Sequence, residues 1–190
     1  HHRREMHTAM DLCFGLLPFG LFGGYLIMRI FAPLAFPAEY LDGTHGASAV
    51  DVFTVLLAGW GLTLLATPTY TSLMAGPYPW RFTLFILLVL TAAVVLGYTL
   101  IVLGPDQPGH RLYAAAVASS LSAGVLLLLS WRMSGGMDFV RERQDDWALA
   151  LLGGGFVVIG LISGTHWWLL GLPLFLFTRR GWQAVRATLD

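Results

Sequence analysis

Three histidines stand in three separate connections between apolar runs: His45, His110 and His166. Brought together with Glu39, Asp42 or Asp106, they could hold zinc or copper through imidazole nitrogen and carboxylate oxygen. No HxH or HxxxH pair fixes their geometry, and solvated loop histidines give the same pattern. The single cysteine, Cys13, excludes an internal disulfide and any CxxC motif, and a buried, inert thiol accounts for it better than a nucleophile does. The GxSxG, HExxH and GxxxxGK[ST] patterns are absent from the sequence. An enzyme would have to be assembled at a membrane surface from residues such as His45, Asp51 and His110.

Inside the apolar runs, chemistry-bearing groups are scarcer still. Asp11, Asp51, Arg81, Arg111 and Asp146 fall at the ends of runs, and Arg29 alone lies within one. Arg29 is close enough to the end of its run to snorkel to headgroups or to meet Glu39 or Asp42. Proton relays and ion pathways place carboxylates, arginines or histidines in mid-span, and these runs have none. No mid-span histidine is present to ligate haem or chlorophyll. The chain is therefore expected to carry no cofactor of its own, bound lipid aside.

Small residues are the strongest positive signal, because helices in lipid associate by close packing. Gly20 and Gly24 make a GxxxG pair, as do Gly160 and Gly164. Two adjacent stripes, Ala115–Ser119–Ala123 and Ala116–Ser120–Gly124, run along a fourth apolar segment, with Ser122 beside them. These faces suit packing within one bundle or against another subunit. Possible helix breaks form a second signal: Pro18, Gly154 within a Gly153–Gly155 run, and Pro173. Interrupted helices expose backbone dipoles, from which transporters build midplane sites.

These residues need elements to position them, and composition says which. Of 190 residues 56% are hydrophobic and 12% charged, with a mean hydropathy of +0.69. A water-soluble domain carries about twice that charge. All eleven basic residues are arginine, balanced by eleven acidic ones, so no net field exists to hold nucleic acid. The sequence predicts an all-α, polytopic transmembrane bundle forming a single integral membrane domain over residues 1–190. Four clear spans lie at about 10–33, 50–67, 82–103 and 112–131. Two shorter runs, about 147–163 and 167–178, read as a C-terminal helical hairpin, giving six segments.

Pro68 is expected to end or kink the second span, and residues 68–80, with three prolines and three aromatics, to lie at the membrane surface. Arginines cluster at the N-terminus and in the second connection, the fourth connection and the tail, which predicts N-in, C-in topology by the positive-inside rule. The first run is too long for a signal-peptide core, and no small-residue cleavage site follows it. From Met137 the fourth connection reads as a short amphipathic helix with nearly balanced charge.

The expectation is a non-catalytic accessory or scaffolding subunit of a larger membrane complex, of respiratory or photosynthetic electron-transfer type. Its partners would be membrane lipids and other membrane subunits, in a bacterial inner or intracytoplasmic membrane. Two alternatives stand beside it. One is a small-solute transporter or channel using broken helices 1 and 5; the other is an enzyme or metal site on the outer face.

Overall fold

The structure is a computed structural model that describes residues 2–43, 47–76, 79–104 and 108–138, with positions 153, 155, 159, 160, 163, 183, 186 and 187. The elements are α1 (His2–Ala35), α2 (Ala38–Leu41), α3 (Ala49–Met74), α4 (Pro79–Leu103) and α5 (Pro108–Ser134), with no strand among the described residues. Local chemistry sets their ends. Ser48 and Asp51 form a capping box at the start of α3, the Ser48 hydroxyl accepting from the Asp51 amide at 3.1 Å. Both α4 and α5 open on proline, which lacks the amide hydrogen that a first helical turn leaves unused. Gly135, at φ 77°, takes the left-handed turn that stops α5.

Three helices, α3, α4 and α5, are long and apolar enough to cross a membrane. At 26, 25 and 27 residues they reach about 39, 38 and 40 Å, against roughly 30 Å of hydrocarbon. The 34-residue α1 is longer, and its apolar stretch is Gly20–Ala35. The sixth predicted segment lies outside the described residues, and of the fifth only positions 153, 155, 159, 160 and 163 are described.

Residues 68–80 depart from expectation. Pro68 does not end the second helix; it sits buried inside α3, which runs on to Met74. A proline here costs the Leu64 carbonyl its usual donor. The turn is nevertheless held by threonines, with Thr67 donating to the Thr63 carbonyl at 2.9 Å and Thr71 to the Pro68 carbonyl at 3.0 Å. Residues 68–74 thus belong to α3, and residues 79–80 open α4.

Packing does not follow chain order. The helix α3 lies between α1 and α5, while α4 packs on α5 and scarcely touches α3. Ser120 pairs with Val55 and Ser130 with Thr69, so α3 and α5 run parallel, and α4 returns between them in sequence. At one end of the bundle Met6 and Met10 of α1, Leu65 and Ala66 of α3, and Leu127 and Trp131 of α5 form the main core. Phe14 stacks on it at a tilt, 6.3 Å from the Trp131 ring. A smaller cluster, Leu21 with Leu57, fastens α1 to α3 further along.

Candidate functional site

Because α5 is wedged between α3 and α4, those two helices splay apart and leave a cleft of about 330 Å³, closed on its inner side by α5. From α3 it is lined by Leu56, Gly59, Trp60 and Thr63, which share one face at i, i+3, i+4 and i+7. Ser119, Ser122, Ala123 and Leu126 line it from α5 in the same rhythm, and α4 contributes Val89. All nine positions fall in the middle turns of their helices. No ionisable side chain is among them.

The walls are held by unusually close helix contact. A Cβ placed on Gly59 would come within 2.7 Å of Ser120 Oγ and 3.0 Å of Ser120 Cα, so α3 and α5 touch backbone to backbone there. Ser120 crosses the contact, its hydroxyl donating to the Val55 carbonyl at 2.6 Å. Further along the same contact, Thr69 and Ser130 meet, both fully buried, with 2.9 Å between their hydroxyl oxygens. Ser130 donates in turn to the Leu127 carbonyl at 3.0 Å.

The structure divides the residues singled out from sequence. Gly20 lies against the edge of the Trp60 indole, and Gly24 against Leu57, where added Cβ atoms would fall 2.5 and 2.8 Å from the nearest carbons. Ser119 and Ala123 line the cleft, while Ala115 is half-buried on the same stripe. The adjacent stripe turns to α3: Ala116 is buried and Ser120 makes the bond to Val55. Pro18 lies within α1, which is helical throughout, and Gly160 is helical and buried. His110 is exposed in the first turn of α5. Among the described residues, no three His, Cys, Asp or Glu side chains come together. His45, Gly154, Gly164, His166 and Pro173 lie outside the described residues. Arg29 is exposed and makes no ion pair with Glu39 or Asp42 among the described residues. Cys13 is half-buried against the main core.

Gly59, Gly61, Thr63 and Thr69 are not among the residues that the sequence alone marks. Gly61 seats Leu17 and Leu21 of α1 on the face of α3 away from the cleft, a Cβ there falling 2.9 Å from the Leu17 side chain. Gly59 and Thr63, four apart, are themselves a small-residue pair, and that spacing was the available signal. Thr69 was hidden by Pro68, which suggested that the helix had already ended.

Comparison with family models, with curated proteins and with solved structures finds no match to this chain.

Proposed function

We propose that the protein is a non-catalytic integral membrane subunit that scaffolds a larger membrane assembly, of respiratory or photosynthetic electron-transfer type. One observation carries this reading. The helix α4 is the most apolar of the three, yet Phe85 is its one buried side chain among the described residues. Lipid can cover the exposed leucines and valines of such a face. It gives no reason for small residues there, and Ala93 and Gly97 stand four apart on α4, with nothing within 4 Å of a Cβ built on Gly97. Open space beside Gly97 among the described residues suits the close approach of a helix from another chain.

On this reading α1 crosses the membrane as well, giving four spans before the C-terminal hairpin. The bundle end that holds Met6, Thr69 and Trp131 faces the cytoplasm of a bacterial inner membrane, with both termini inside. Arg81, whose guanidinium lies 5.6 Å from the Trp80 ring, and Arg132, in the last turn of α5, both belong to that end. The transporter alternative rests on broken helices 1 and 5; α1 is helical through Pro18, and most of the fifth segment lies outside the described residues.

The test is extraction from native membranes in mild detergent, with a photo-crosslinking residue placed at Val94 or Tyr98. Crosslinks from α4 to a different polypeptide, and co-migration with it on native gels, are the expected result. A stable monomer with no co-purifying subunit, showing solute flux in liposomes, would overturn the proposal.

A further inference from the structure

The cleft between α3, α4 and α5 has carbon walls, an aromatic side chain, and the three hydroxyls of Thr63, Ser119 and Ser122. In a membrane-spanning bundle its lateral opening meets hydrocarbon, so whatever enters is soluble in the bilayer. The hydroxyls discriminate among such molecules. Thr63 spends its proton on the Gly59 carbonyl at 3.0 Å, and Ser122 spends its proton on the Ala118 carbonyl at 2.7 Å. Ser119 differs from both: it is exposed, and its hydroxyl has no hydrogen-bond partner among the described residues although it lines the same space. Its acceptors are the Ala115 carbonyl one turn back, the kind of partner that Thr63 and Ser122 use, or one brought into the cleft by another molecule, since acyl chains offer none. A carbonyl carried on an apolar body supplies what lipid does not.

We propose that this cleft binds a membrane-soluble ketone or quinone, whose carbonyl accepts the Ser119 hydroxyl while its apolar body lies against Trp60, Val89 and Leu126. No bond is made or broken in the protein; the site binds and orients. This goes beyond the scaffold reading and does not depend on a partner subunit.

The purified chain in lipid nanodiscs is irradiated with a decyl-substituted benzophenone, a lipid-soluble ketone that labels nearby C–H bonds, and the adducts are mapped by peptide mass spectrometry. Labelling concentrated on residues 56–63 and 119–126 is expected. An excess of a decyl-substituted benzoquinone should suppress it, and a straight alkane should not. Ser119→Ala removes a hydroxyl that has no hydrogen-bond partner among the described residues, so its thermal stability should match the parent. Its apparent affinity for the probe should fall by about three- to tenfold, the worth of one hydrogen bond. Val89→Trp, which fills the cleft from α4, should abolish labelling there. Adducts spread evenly over the lipid-facing helices would overturn the site. Equal competition by the alkane, or unchanged binding in Ser119→Ala, would overturn carbonyl recognition and leave an acyl-chain gap. Each outcome is read on the isolated chain, so it is independent of whether α4 docks a partner.

Discussion

At Gly59 the α3 backbone comes so close to α5 that a single methyl group has no room. The Cα of Ser120 stands 3.0 Å from where that methyl would be, and backbone cannot swing aside as a side chain can. Gly59→Ala should therefore destabilise the bundle by about 1–3 kcal/mol, the usual range for overpacking. Gly97→Ala is the control, since nothing lies within 4 Å of its new methyl. It should be neutral, or stabilising by up to about 1 kcal/mol through helix propensity. Thermal unfolding of both variants in the same detergent checks the pair, and equal losses would show that the α3–α5 contact is looser than described. Thr69 and Ser130 test a different force. A double-mutant cycle with Thr69→Val and Ser130→Ala should return a coupling of about 0.6 kcal/mol, as is typical between membrane helices. A coupling of zero would mean that each hydroxyl is satisfied by its own helix, through Ala66 and Leu127.

Elements here depend on register more than on connection. Adding one alanine after Thr63 turns the rest of α3 by about 100°, which takes Thr69 away from Ser130 and Leu65 out of the main core. That variant should lose cooperative unfolding. Adding four Gly-Ser residues within 75–78 should shift the midpoint little, because α4 is held by α5 and loop closure grows slowly with length. Circular dichroism melts of the two insertions separate the cases; similar collapse of both would show that α3 and α4 rely on their short link. Apolar run length placed these helices closely, but their ends less so. Run length registers how far hydrocarbon extends, and helix ends are set by capping groups. The α3 end at Met74 was invisible because threonine hydroxyls carry the turn past Pro68.

At the scale of the molecule, alternating helices give a topology that can be measured. In a protein whose one native thiol is removed by Cys13→Ala, a cysteine introduced by Ala47→Cys, just before the α3 cap, should react with an impermeant maleimide added outside intact cells. Ala75→Cys should react only after permeabilisation. Labelling of both from the same side would exclude the proposed orientation. The sequence by itself determined that the chain is helical and apolar enough for a membrane, and that most of its charges fall outside the apolar runs or at their ends, because hydropathy and charge are properties of composition along one strand of chain. It also displayed the small-residue stripes on α5. It could not say which stripe meets which neighbour, since two stripes side by side on one helix are equivalent until the other helices are placed. Tertiary structure decided that Ala116 and Ser120 face α3 while Ser119 and Ala123 face a gap. The gap itself has no sequence signature. It arises because α3 and α5, parallel and with bonded residues 61 to 65 positions apart in the chain, approach to backbone contact and leave α4 only the far side of α5 to pack on.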